Sequence, residues 1–296
     1  MITEAGLKFS IIFKVTWKRV LYLVVYCIAV VFAYDAFGDK LEFTDTPLSI
    51  FGTVLAILLG FRVNNAYERW WDARKLWGKI VNDSRSTARM IVAFLQDADH
   101  DLVRRMVYRQ AGYCYALRDS LRGNPVEPGI APFFTDEEKA LHLSRVNVPN
   151  SIMTSQSLEV DQLVRSGILT PMQQRMFEER FSLLLDSQGG CERIKKTVFP
   201  HDYRFYTSFF VNIFTYVFPL VLVDTMEWEI LPWTVFVGFA LSSVDHLAKA
   251  IEKPFENRVN DTAMTAISRT IEIDLRQMLG ETEKLEPTKP VDGVLM

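Results

Sequence analysis

Cysteine is scarce in this chain and never clustered. Cys27, Cys114 and Cys191 are the only three among 296 residues, and none forms a C-x-x-C pair. That spacing excludes a disulfide framework or a thiolate zinc site as the organising feature. Histidine is as sparse: His100, His142, His201 and His246 are scattered, with no partner at metal-ligand spacing. H-E-x-x-H, G-x-S-x-G, a Walker loop and G-x-G-x-x-G are all missing, and with them the common signatures of hydrolases and nucleotide enzymes. A strong excess of one charge is missing too, since the formal net charge of −3 supplies no basic field for nucleic acid. The chain therefore reads as a non-enzyme with no cofactor, no metal and no nucleic-acid partner.

What is present is apolar length. Hydrophobic residues make up 49% of the chain against 23% charged, a mixture that fits part membrane and part soluble protein. Four runs have the length and character of a bilayer span: Val20 to Phe37, Pro47 to Val63, Thr207 to Val223 and Leu231 to Ile251. Thr46 stands as an N-cap for the second run, with Pro47 at the first helical position. Basic residues flank the start of the first and third runs and the end of the second and fourth. The connections from Asp35 to Asp45 and from Asp224 to Glu229 are acidic instead, with four acids to one lysine and three acids to none. Because basic residues stay on the cytoplasmic side, both termini are expected inside. The first run lacks a small-residue cleavage site and three more follow, so it is read as an uncleaved anchor.

The organisation expected from this pattern has five parts. Residues 1–63 hold an N-terminal helix and the first two spans, 64–206 a cytosolic helical region, and 207–251 the last two spans. Residues 252–280 form a C-terminal cytosolic helical region, and 281–296 a polar, proline-containing tail that is expected to be disordered. Within the cytosolic region, three-and-four spacing predicts helices over Asp83 to Gln96 and Leu102 to Leu121, broken at Gly123-Asn124-Pro125. Thr135 or Asp136 opens another, Thr170-Pro171 a further one that Gly189-Gly190 interrupts, and the last runs from Thr262 to Leu279. Nothing reads as a sheet.

The second run is unusual in its continuation. Thr53, Ile57 and Phe61 lie four apart, one helical stripe. Such a stripe either packs against other spans or, repeated around an axis in several copies, forms a narrow apolar neck; spacing does not discriminate. The helix then runs on through Arg62, Asn64 and Asn65 into "ERWWDARKLWG" with no breaker before Gly78. Arg62 falls near the inner interface, where an arginine snorkels or pairs, and Asn64 and Asn65 suit an aqueous vestibule. Trp70, Trp71 and Trp77 suit interface anchoring and helix packing. Asp245 and His246, near the inner end of the fourth run, are ionisable at membrane depth: either functional, or bonded between helices or to Arg62.

Together "LGFRVNNAYERWWDARKLWG", "GGCER" at Gly189 to Arg193 and "DHLAKAIEKPFENRVND" at Asp245 to Asp261 resemble the bestrophin family, specifically its bacterial members. The resemblance covers nearly the whole chain in the same order. It implies an all-α membrane protein with four transmembrane helices and a cytosolic helical bundle, assembled as a barrel-shaped homopentamer around one axial pore. It further implies a pore neck at Thr53, Ile57 and Phe61, where Thr53 departs from the usual bulky apolar residue and makes the outer neck wetter. Counting back from Gly189 places a cytosolic aperture at Met172. Animal members bind calcium after the Pro-Phe motif, but here Pro254 to Asp261 carries Arg258 where an acid is expected. A cation among oxygen ligands opposes calcium, so calcium gating is not expected and Asp261 is assigned to capping the last helix.

The function expected is a passive channel for small monovalent ions in the bacterial inner membrane. Its partners are those ions, the lipid bilayer and further copies of the chain. Asp35, Asp39, Glu42, Asp45 and Asp224 near the outer face lean it towards cations such as sodium. A chloride channel is the alternative, favoured if Arg62 faces the pore, and a non-conducting scaffold for a cytosolic partner is the reading from another class.

Overall fold

The computed structural model describes residues 9–38, 46–197, 201–282, 285–291 and 293–295. Ten α-helices run along these residues: α1 (Phe9–Phe37), α2 (Thr46–Phe94), α3 (His100–Arg122), α4 (Glu127–Ile130), α5 (Asp136–Leu143), α6 (Val148–Arg165), α7 (Pro171–Lys196), α8 (His201–Met226), α9 (Ile230–Ile251) and α10 (Met264–Met278). Among the described residues the only β pairing is an isolated bridge between Val291 and Val294. Three stretches are long and apolar enough to cross a membrane: Trp17–Phe37, Pro47–Phe94 and Asp202–Ile251. The last contains both α8 and α9, joined by a 3-10 turn at Glu227–Glu229.

The chain divides into two compact units. One comprises Ala5–Arg69 and Val198–Glu252; the other holds Trp70–Thr197 and Lys253–Met296, with Met1–Glu4. α2 contributes to both. In the first unit, Cys27, Val30 and Val31 of α1 meet Val223 and Ile230, while Leu55 and Leu59 of α2 meet Val211 of α8. Small residues allow these helices to approach: a Cβ on Gly238 of α9 would stand 2.6 Å from Leu23 Cδ1, and one on Gly52 3.0 Å from the Phe214 ring. Close approach at glycine is how apolar helices gain packing where water supplies no driving force.

The second unit is built around α3. Asp99 caps its start by accepting from the Asp101 amide, and Gly123, at φ 72°, ends it by donating back to Asp119 and Ser120. α3 buries Met106, Tyr113, Cys114 and Leu117 against residues of α6, α7, α10 and the distal half of α2. The expected starts at Thr135 and Thr170 are found. Thr135 accepts from the Glu138 amide, and Thr170 forms a reciprocal capping box with Gln173.

Four expectations need correction or fall outside view. Asp83 to Gln96 is not a separate helix, because α2 passes through Gly78 without a break. One interior glycine costs only about 1 kcal/mol relative to alanine, and buried Ala73, Trp77 and Ile80 flank it. Gly189-Gly190 does not interrupt α7 either; Leu76 lies 2.9 Å from where a Gly190 Cβ would stand, so that glycine serves close approach. Asp261 does not cap the last helix, which starts at Met264 after Ala263 without a side-chain cap. Its Oδ2 instead accepts from the Arg258 amide at 3.0 Å and closes the preceding turn. The Thr46 side chain, Asp39, Glu42 and Asp45 lie outside the described residues.

Candidate functional site

α2 has two unlike faces in the first unit. Leu55, Leu59, Arg62 and Ala66 are buried, recurring at three and four residues as a packed helical face must. Thr53, Ile57 and Phe61 follow the complementary spacing and are exposed, Ile57 at 54% and Phe61 at 62%. The stripe therefore does not pack against the other helices of its own chain. Thr53 Oγ1 donates to the Ser49 carbonyl at 3.0 Å, so its proton is already taken up by its own helix. Asn64 and Asn65 continue the exposed side, and Asn64 Nδ2 donates to Glu68 Oε1 at 2.9 Å. Glu68, seven residues and two turns after Phe61, was missed by the sequence reading. The spacing that found Thr53, Ile57 and Phe61 points to it once the stripe is extended past the apolar run.

Arg62 belongs to the opposite side. It is 1% exposed, and its Nη1 donates to Asp245 Oδ1 of α9 and, at 3.4 Å, to Ser208 Oγ of α8. Ser208 Oγ donates in turn to Asp245 Oδ1 at 3.1 Å, and Lys249 Nζ reaches Asp245 Oδ2 at 2.6 Å. Three helices are thus tied at one carboxylate. Arg62 Nε and Nη2 are buried with no hydrogen-bond partner among the described residues. Of the two ionisable residues expected at this depth, Asp245 joins Arg62, whereas His246 next to it is exposed and takes no part.

Met172 lies in the second unit at the second residue of α7, 66% exposed, with Met176 exposed one turn later. The stretch after the Pro-Phe motif has its carboxylates engaged within the protein. Glu256 Oε1 accepts from Lys195 Nζ at 2.9 Å, and that hydrogen bond holds the Glu256 carboxyl below its ordinary range. Asp261 is buried, which pushes its carboxyl up despite the Arg258 amide. Of the tryptophans, Trp77 is fully buried, while Trp70 Nε1 donates to the Asn260 carbonyl at 2.7 Å and its ring stacks on Trp71.

Residues 5–277 match the family model of the bacterial and fungal bestrophin protein. Among curated relatives, the voltage-dependent anion channel-forming protein YneE of Escherichia coli K12 is 32% identical over 277 residues, covering 93% of this chain and 90% of that protein. A protein with the same descriptive name from Mesorhizobium japonicum is 30% identical over 81% of this chain and 76% of its own length. Among solved structures, a bacterial bestrophin homologue from Klebsiella pneumoniae superposes with a TM-score of 0.86 at 28% identity, covering 90% of this chain and 98% of that one. A membrane-type helical fold, an unpartnered α2 stripe and these similarities converge: the chain belongs to the bacterial and fungal bestrophin family.

Proposed function

We propose that the protein is a bestrophin-type ion channel, a homopentamer passing small monovalent ions across the bacterial inner membrane through an axial pore. Its four spans lie in α1, α2, α8 and α9, with both termini in the cytoplasm. The observation that carries this reading is the stripe of Thr53, Ile57 and Phe61, which its own chain leaves uncovered. Rings of such side chains make an apolar neck that gates by dewetting. Asn64, Asn65 and Glu68 line the inner mouth, and Met172 forms a second aperture.

Three observations bear on selectivity, and they do not all point the same way. Arg62 is buried against Asp245, which removes a positive ring from the pathway, and exposed Glu68 would draw cations to it. That favours sodium. The names of the relatives favour the second reading, an anion channel passing chloride.

Purified protein in liposomes tests the proposal, with sodium and chloride gradients imposed separately and Phe61→Ala alongside. The expected result is flux in the parent and at least about tenfold more in Phe61→Ala, as when about 1.4 kcal/mol of barrier is removed. No flux in either protein rejects the channel.

A further inference from the structure

Phe61 and Arg62 are neighbours on α2, yet one is 62% exposed and the other 1%. A helix turns about 100° per residue, so the side chain following the last neck residue swings back into the protein. There Arg62 meets Asp245 and Ser208, and Lys249 holds the second carboxylate oxygen. Two cations and one carboxylate leave this group with one net positive charge per chain. The Arg62 and Asp245 side chains are almost wholly buried, so little water screens the charge between them.

We propose that Arg62 and Asp245 together set the ion preference of the neck. Asp245 masks a guanidinium standing directly behind the Phe61 constriction, and it fastens α2 to α9 so that Phe61 and not Arg62 faces the pathway. The inference rests on the channel reading above. Ser208 orients the pair by bonding both partners. Because Arg62 Nε and Nη2 have no acceptor among the described residues, loss of the Asp245 charge leaves the guanidinium with neutral partners only, Ser208 and the carbonyl oxygen of the substituted amide. A buried cation in that state is strongly unfavourable, and it is relieved by turning towards water and anions.

The test is the reversal potential under a sodium chloride gradient for the parent, Asp245→Asn, Arg62→Gln and the double variant. Size-exclusion chromatography confirms that each one assembles. Asp245→Asn adds one positive charge per chain and is expected to raise the chloride-to-sodium permeability ratio about threefold or more; Arg62→Gln removes one and lowers it by a similar factor. The double variant restores the net charge and returns close to the parent ratio. A purely structural role would move both single variants the same way, or change the size of the current without the ratio. If Asp245→Asn fails to assemble, Arg62→Gln and the double variant carry the same comparison, since removing both partners of a buried pair is tolerated better than removing one. A conducting parent whose ratio moves by less than about 1.5-fold in every assembling variant, or moves the same way in both single ones, overturns the inference alone. A parent without current overturns the channel reading and this inference with it.

Discussion

The two ends of α2 obey the same helical spacing and are treated in opposite ways. Beyond Trp70 the helix buries Ala73, Trp77, Ile80, Ala88 and Ile91 in a core shared with α3, α7 and α10. Before Arg69 it buries Leu55 and Leu59 in a smaller cluster with Val211 and the half-buried Phe210, Phe214 and Leu241, while Ile50, Val54, Ile57 and Phe61 are exposed. The other helices of that unit behave alike, exposing Leu21, Tyr22, Val25 and Phe32 on α1 and Trp233 and Phe236 on α9. Fully burying one such side chain is worth about 1.5–3 kcal/mol in water. A unit that leaves so many uncovered is not built to face water, and on the channel reading lipid and further copies of the chain cover them.

The contrast makes its largest prediction for two aromatic residues sixteen positions apart on this one helix. Trp77→Ala empties a fully buried site and should cost about 3–5 kcal/mol. Its indole N–H has no partner among the described residues, so no hydrogen bond there is lost with it. Phe61→Ala should change stability by no more than about 0.5 kcal/mol while altering flux as described above. Thermal unfolding of both variants in the same detergent decides the matter. Comparable losses would mean that Phe61 is packed after all, and the contrast between the two ends of the helix would fail.

Gly190 is the next lever. The gap it leaves on α7 is filled by Leu76 of α2, so Gly190→Val forces the distal half of α2 off its seat and should cost about 1–3 kcal/mol. The effect belongs to the second unit. Gly189 meets nothing within 4 Å at its Cβ position, and Gly189→Val should be tolerated. Equal losses at the two glycines would show that α7 suffers from β-branching in general and not from contact with Leu76.

How much of this was legible in the sequence depends on the range of the interaction. Caps are local, and Thr135, Thr170 and Gly123 announced their helix ends correctly. The stripe of Thr53, Ile57 and Phe61 was legible as periodicity, but that its own chain leaves it open was not. The glycines misled for the same reason: Gly78 and Gly190 read as breakers until Trp77, next to the first, is seen to be buried in the core and Leu76 to be seated against the second, a tertiary effect that overrides propensity. Arg62 and Asp245 are 183 residues apart, so their pairing stood as one alternative among several until α2, α8 and α9 were brought together. Asp261 failed as a cap because a carboxylate near a helix start bonds whichever amide the turn presents, and here that amide is Arg258.

The smallest expected effect is a dependence on pH confined to the second unit. His142 of α5 is buried, with Nδ1 3.0 Å from Ser151 Oγ and the Phe134 ring edge-on at 5.1 Å. Burial disfavours the imidazolium and pulls its pKa below the ordinary value; Arg109 adds to this, and Glu138 opposes it. The unfolded chain therefore binds more protons than the folded one once the pH falls below about 6.5. Stability is fully present above that point and is lost as acid protonates the unfolded state. Glu256, whose carboxyl is held low by Lys195, also loses stability in acid, but only below the ordinary carboxylate range, so the two windows separate. Hydrogen exchange at pH 7.5 and 5.5, corrected for intrinsic rates, should show protection falling in α5 and α6 at the lower pH. It should hold in α8 and α9, whose described side chains include no buried histidine. His142→Gln should remove the dependence. Equal loss of protection in both units, or a dependence that survives this substitution, would assign the acid sensitivity to something other than the buried histidine of the second unit.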